Sequence, residues 1–160
     1  MDLIDQYRLM HDAGHFPGHS INKHADSIKY LINKTQSRTI LDYGCGKGRQ
    51  YAELNLHKYW NVEPSLYDPA TFPEKPEGMF DAVICTDVLE HVPENQLEDT
   101  LREIFSYAKK FVFLSICTRE AKKHLPDGRN CHLTVKPELW WQALIEGLEP
   151  SVMYEVEFVE

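Results

Sequence analysis

Apolar side chains recur along the chain with two periods. Leu3, Ile4, Tyr7 and Met10 fall on one face of a helix over residues 2–12, and Gly14, Pro17 and Gly18 then interrupt it with a loop. Ser20 is placed to cap a second helix, whose Ile21, Ala25, Ile28, Leu31 and Ile32 carry an apolar face to about Lys34. Residues 39–43 form a short β-rich run that enters the glycine loop Gly44-Cys45-Gly46-Lys47-Gly48, and Tyr51 and Leu54 suggest a helix beyond it. Residues 65–69 read as a short strand stopped by Pro69. The clearest buried strand is 80–86, followed by a helix over 94–109 with Leu97, Leu101, Ile104, Phe105 and Ala108 on one face. Residues 111–116 are nearly all apolar, as expected of a strand covered by helices on both faces. Pro137 opens a last helix carrying Leu139, Trp140, Ala143 and Leu144, Gly147 ends it, and residues 152–159 form a closing strand.

Strands separated by helices imply a mostly parallel sheet with right-handed crossovers, an α/β doubly wound fold. In such a sheet ligands bind outside the carboxyl ends of the strands, so residues 42–48, 68 and 87–91 should converge. The loop has GxGxG spacing. A dinucleotide fingerprint would need glycine at position 49, where Arg49 stands, and no Gly-Lys-Ser or Gly-Lys-Thr follows to make a P-loop. Gly44, Gly46 and Gly48 permit positive φ and close approach of backbone to a ligand, and Asp42 offers an acceptor to an ammonium- or sulfonium-bearing partner.

Charge and composition narrow the partners. With 25 acidic against 17 basic residues in 160, the net charge is −8, which favours a cationic or neutral small molecule over a nucleic acid held through its phosphates. The 42% hydrophobic and 26% charged content is that of one globular domain spanning 1–160. No run is long and apolar enough for a membrane span, and Asp2, Asp5 and Arg8 stand where a signal peptide would be apolar, so a cytoplasmic location is expected. Cys45, Cys85, Cys117 and Cys131 lack CxxC spacing and are read as reduced. Four of the eight histidines (His11, His15, His19, His24) lie in the first 24 residues. They are read as solvated or loop-packing, or as belonging to a lid in which residues 16–20 fold over the site.

The segments Thr39-Ile-Leu-Asp-Tyr-Gly-Cys-Gly-Lys-Gly48 and Phe80-Asp-Ala-Val-Ile-Cys-Thr-Asp-Val-Leu-Glu-His-Val92 together resemble the class I S-adenosylmethionine-dependent methyltransferases. The segment 132–139 resembles that family's approach to its last large helix. The resemblance implies a Rossmann-like fold covered by N-terminal helices over 1–36. It implies that the backbone at Gly44, Gly46 and Gly48, with Asp42, holds the methionine end of S-adenosylmethionine, and that Asp87 belongs to the same cofactor-binding set. Asp68 would accept from the two ribose hydroxyls. Glu63 is the rival for that role, and Asp68 is favoured because Tyr67-Asp68-Pro69 looks more like a strand end; capping of a turn before Pro69 is the plainer reading of the same residue.

The chain departs from the family between Asp68 and Phe80, where eleven residues including Pro69, Pro73, Pro76 and Gly78 leave no room for a helix and strand. The third strand should be missing, leaving five or six, and the adenine contact falls to Cys85, Thr86 or the 69–79 loop. An exposed sheet edge would then be protected by a bulge or by a partner subunit in a homodimer. At i, i+3 and i+4, Asp87, Glu90 and His91 would share one side of a helical turn, as a base cluster or part of a divalent-metal site with His132 as a further ligand. The base reading, with His91, Glu90 and His132 as the catalytic set and no metal, is preferred. Asp87 is shorter than the Glu of metal-using relatives. Trp140 is expected in the core, its neighbour at a pocket or interface, and residues 125–129 in a turn. The expected function is methyl transfer to a small oxygen or nitrogen nucleophile. Alternatives are a non-catalytic cofactor-binding or partner-regulating module, and a 2′-O-methyltransferase of RNA ends.

Overall fold

A computed structural model describes residues 1–160. Five strands, β1 (Thr39–Tyr43), β2 (Glu63–Tyr67), β3 (Phe80–Thr86), β4 (Ala108–Cys117) and β5 (Met153–Val159), form one sheet in the order β2-β1-β3-β4-β5. Every pairing is parallel. The chain crosses from β2 to β3 through a loop with only an isolated bridge between Asp68 and Phe72, so no third strand lies outside β2.

Both faces of the sheet are covered, which explains the unbroken apolar runs. On one face Leu41, Val83, Cys85, Val112 and Leu114 pack against α5 (Leu97–Ser106) and α6 (Glu138–Gly147) through Leu97, Leu101, Ile104, Trp141 and Ile145. The alternate residues Ile40, Ala82, Ile84, Phe111 and Phe113 face α2 (Ala25–Thr35), α3 (Arg49–Ala52) and α4 (Leu56–Trp60), meeting Ile28, Leu31, Ile32, Tyr51 and Trp60. The period of two therefore shows in which helices each residue meets, while Ala82–Cys85 and Phe111–Leu114 stay apolar throughout.

Several expected boundaries move for local reasons. Ser20 caps nothing: residues 20–24 form a 3₁₀ turn and α2 starts at Ala25 without a side-chain cap. The single helix expected after the glycine loop is split into α3 and α4 by Asn55, held at φ 53°. The helix expected over 94–109 is a 3₁₀ turn at 94–96 followed by α5, which stops at Ser106, and Ala108 instead opens β4 opposite Phe80. The second strand starts earlier, at Glu63. α6 does end at Gly147, as expected, and the left-handed residue beyond it is Glu149, at φ 50°. The tryptophan in the core is Trp141, fully buried; Trp140 is half-buried and meets it edge-on, with ring centroids 5.2 Å apart. The four cysteines are buried and unpaired, and residues 125–129 form a turn closed by the Leu125 N–H to the Arg129 carbonyl at 2.8 Å.

The N-terminal helix α1 (Leu3–Asp12) lies over the carboxyl end of the sheet. Gln6 donates to the Asp127 carboxylate at 2.9 Å and accepts the Asp127 N–H at 3.1 Å, and Met10 packs against Leu125 and Cys131. These contacts tie the cover to the 120–133 segment.

Candidate active site

The glycine loop is fastened to the end of β2. The Gly44 and Cys45 N–H groups both donate to the Tyr67 carbonyl, at 2.7 and 3.1 Å, and the Gly46 N–H donates to Asp68 Oδ2 at 3.0 Å. Two glycines are dictated by geometry. Gly44 has φ 85°, and a Cβ there would stand 2.3 Å from Val88 Cγ2; Gly46 has φ 58°, and a Cβ there would stand 3.2 Å from His11 Cε1. The loop can therefore lie against the 87–91 segment only without a side chain at Gly44, and a Cβ at Gly46 would press on the His11 ring under α1.

Asp68 sits just beyond the carboxyl end of β2, nearly buried. Its other oxygen accepts the Ala70 and Thr71 N–H groups at 2.8 and 3.2 Å, so it also caps the turn after Pro69. Glu63 opens β2 at the opposite, amino rim and is exposed. Asp42 is buried beneath the loop, where its Oδ2 accepts from Gln50 Nε2 and the Tyr51 hydroxyl, both at 2.7 Å. Burial pushes its pKa up to about 6, against the pull of those two hydrogen bonds. In this arrangement Asp42 braces the first turn of α3, and the groups facing α1 are the loop backbone and Asp68.

The segment after β3 does not place its three polar residues on one side. Asp87 stands outside the turn at φ 55°, with its carboxylate accepting the Ser115 hydroxyl at 3.0 Å and its N–H donating to the Ser115 carbonyl at 3.0 Å. Only Leu89–His91 form a 3₁₀ turn. Glu90 points inward, fully buried, and Oε1 accepts the Cys117 N–H at 3.1 Å while Oε2 has no partner. Burial, followed by the charge of Asp87, raises the Glu90 pKa to about 8, so the acid is largely protonated at neutral pH. His91 points outward into a ring cluster, edge-on to Tyr7 at 5.5 Å, Phe16 at 5.9 Å and His132 at 4.9 Å between centroids. Burial, and secondarily His132, push its pKa down to about 4.

His132 is half-buried and its Nδ1 meets the Arg119 carbonyl at 2.6 Å. A Glu90 oxygen, Cys117 Sγ and a His132 ring nitrogen lie within 4.8 Å of one another. Of the Asp87, Glu90, His91 and His132 set expected for a divalent ion, only Glu90 and His132 belong to this group, and Asp87 turns toward Ser115 instead.

The cover joins the two halves of the site. His11 is buried with its ring against Gly46 and its Nδ1 without a partner; burial lowers its pKa, against the opposing effect of Asp68. Phe16 lies 5.0 Å from His11 and 5.9 Å from His91, so one ring separates the glycine loop's neighbour from the imidazole after β3. Gly18 approaches Gln50 and Arg49 at the start of α3. Of the other early histidines, His15 and His19 are exposed and His24 is buried with its Nδ1 at 2.5 Å from a Glu157 carboxylate oxygen. The sequence assigns no site role to Tyr7 or Cys117, and His11 enters it only as one of four early histidines. Tyr7 sits at an apolar helical position, His11 in a histidine-rich stretch, and Cys117 at the end of a buried strand, each of which reads as packing.

A five-stranded parallel sheet with a glycine loop at its carboxyl rim and an acid after the second strand defines the Rossmann-like class. Residues 16–149 match the methyltransferase domain family, and the chain belongs to it, as a class I S-adenosylmethionine-dependent methyltransferase. A solved structure described as the DhpI-SAH complex is similar in fold, with a TM-score of 0.57 at 17% identity over 91% of this chain and 87% of that one. No curated protein gives a match. No helix is long and apolar enough to cross a membrane.

Proposed function

We propose that the rim beneath α1 binds S-adenosylmethionine and catalyses methyl transfer to a small oxygen or nitrogen nucleophile, with His91 as the general base. The observation that carries this reading is the ring chain Gly46–His11–Phe16–His91, which sets a neutral imidazole beside a glycine loop and a strand-end acid. The DhpI structure, described as a complex with SAH, supports the choice of cofactor. The residues present fit it: Asp68 faces the loop as an acceptor for ribose hydroxyls, the loop backbone lies open to a ligand's amino-acid end once α1 lifts, and the unpartnered His11 Nδ1 offers a polar contact next to Gly46.

When bound, S-adenosylmethionine supplies an electrophilic methyl group on a positively charged sulfur. The protein's part is to align the acceptor and exclude water, as direct displacement requires. α1 and Phe16 close the rim over the loop. His91, uncharged across the neutral range, takes the proton from the acceptor's O–H or N–H as it attacks. Glu90 and His132 form the wall beside it, and the protonated Glu90 keeps that wall free of a competing charge. The net charge of −8 favours a cationic or neutral small acceptor over RNA.

The test is transfer of labelled methyl from S-adenosylmethionine to pooled small metabolites and, separately, to RNA. Label in the metabolite pool is the expected result. Cofactor binding with no transfer to either pool would assign a binding module instead, and transfer to RNA alone would overturn the acceptor class.

A further inference from the structure

Tyr7 lies outside the matched family segment, which begins at residue 16, yet its hydroxyl reaches the centre of the site. It stands 2.9 Å from the Cys131 carbonyl and 3.3 Å from both His91 Nδ1 and the His91 carbonyl. Burial holds the phenol protonated, raising its pKa. A tyrosine hydroxyl has one proton, and the shortest of its acceptors is the Cys131 carbonyl. With that proton committed, the Tyr7 oxygen is left as an acceptor toward the ring nitrogen of His91. The group facing His91 Nδ1 therefore asks it to donate.

We infer that Tyr7 is a positioning residue that holds neutral His91 in the Nδ1–H tautomer, leaving Nε2 as the unprotonated nitrogen that accepts a proton. The inference deepens the proposed function and rests on its reading of His91 as base for its catalytic meaning, though not for its geometry. In a neutral imidazole only one nitrogen has a free lone pair, and the hydrogen bond at the other nitrogen decides which. Tyr7 is four residues before His11 on α1, so one helix face carries both the group that sets the base and the group against the glycine loop.

The experiment uses the full ¹⁵N-labelled chain with S-adenosylhomocysteine at pH 7, reading the tautomer of His91 from long-range ¹H–¹⁵N correlations assigned with His91→Ala. The wild type should show a protonated Nδ1 and a pyridine-type Nε2. Tyr7→Phe keeps the ring packing and the fold, checked by melting temperature, and should lower the Nδ1–H to Nε2–H ratio about fivefold, the equivalent of one ordinary hydrogen bond. A wild-type Nε2–H tautomer, or a Tyr7→Phe spectrum identical to wild type, overturns the inference. A merely structural Tyr7 would move the melting temperature and not the ratio. If the ratio responds as expected while His91→Ala leaves methyl transfer intact, the positioning role stands and only the base reading fails.

Discussion

The Asp68 carboxylate accepts the backbone N–H of Gly46 at 3.0 Å, so the acid after β2 and the glycine loop after β1 are parts of one unit. Asp68 also caps its own turn through Ala70 and Thr71, and it is therefore oriented before any ligand arrives. A carboxylate already held by three N–H groups has lone pairs left for hydroxyl donors, and its rotamer needs no reordering on binding. Asp68→Ala should weaken S-adenosylhomocysteine binding by ~1.5–3 kcal/mol, the range for charged hydrogen bonds, and should also lower the melting temperature because three N–H groups lose their acceptor. Glu63→Ala, at the far rim, should change neither. Calorimetric titration of both variants checks this, and a reversed pattern would move the ribose contact to Glu63.

Ligand-linked stability gives a second check. A ligand that binds only the folded state raises the melting temperature by mass action, about 2.7 kcal/mol at a hundredfold excess over its dissociation constant. S-Adenosylmethionine and S-adenosylhomocysteine should both raise it, and NAD should not, because position 49 is arginine and the loop lacks the third glycine of a dinucleotide fingerprint. A flat melting curve with millimolar S-adenosylmethionine would count against cofactor binding at this rim.

How much was legible beforehand depends on whether a feature is set by the strand pattern or by a side chain's direction. The apolar runs around Val83 and Val112 identified β3 and β4, and the rule that ligands gather at the carboxyl ends of parallel strands brought Gly46, Asp68 and His91 together without coordinates. The eleven residues between Asp68 and Phe80 were too few for a helix and a further strand, and no such strand is there. What the residues did not disclose was orientation. Glu90 and His91 are neighbours, yet one turns into the core and the other into the ring cluster, because they share a 3₁₀ turn instead of the α-helical turn that would have aligned Asp87, Glu90 and His91. Tyr7 was hidden by its own ambiguity: a phenol at an apolar helical position is both core and donor, and only the fold decides which partners its hydroxyl meets.

Gly44 offers a test of the loop's packing. A methyl group there would stand 2.3 Å from Val88 Cγ2 on a backbone held at φ 85°. Overpacking and a left-handed backbone each cost about 1–3 kcal/mol, so Gly44→Ala should destabilise the fold on that order. Val88→Ala in the same chain should recover part of the loss by removing the clash, while the strain at φ remains. Denaturant unfolding of the single and double variants measures the difference, and equal stability of wild type and Gly44→Ala would show that the loop and the 87–91 segment are not packed as described.

Glu90 and His91 differ in how they respond to pH. Glu90 is protonated more readily in the fold than in the unfolded chain, its pKa rising from 4.5 to about 8. The stability it contributes is fully present below pH 4.5 and is lost as the pH rises toward 8. Glutamine cannot ionise and can still accept the Cys117 N–H through its carbonyl. Glu90→Gln should thus match wild type near pH 4 and exceed it at pH 8 by up to a few kcal/mol, at about 1.4 kcal/mol per pKa unit. Melting curves at the two pH values decide the matter; a stability gap independent of pH would show that Glu90 ionises normally.

His91 shifts the other way, from 6.5 to about 4, because burial among Tyr7, Phe16 and His132 disfavours the imidazolium. Its contribution to stability is present above pH 6.5 and is lost as the pH falls through the value near 4. The catalytic consequence runs in the same direction. A base that stays neutral to about pH 4 gives a methyl-transfer rate that does not decline between pH 8 and 5 through loss of its free lone pair, and falls only as His91 protonates below that. His91→Ala should cost on the order of 10²–10⁴-fold in turnover, the usual range for general acid–base catalysis, with little change in S-adenosylhomocysteine affinity because the ring lies beyond Phe16 from the glycine loop. Chelator should leave the rate unchanged, since Asp87 turns toward Ser115 and lies outside the group that Glu90 forms with Cys117 and His132. The measurements are the pH–rate profile of the wild type with the acceptor found by labelled-methyl screening, the turnover of His91→Ala and the rate in chelator. A fall in rate centred near pH 6.5 would show that His91 is solvated as in a free peptide, and turnover abolished by chelator and restored by manganese would replace the base with a metal.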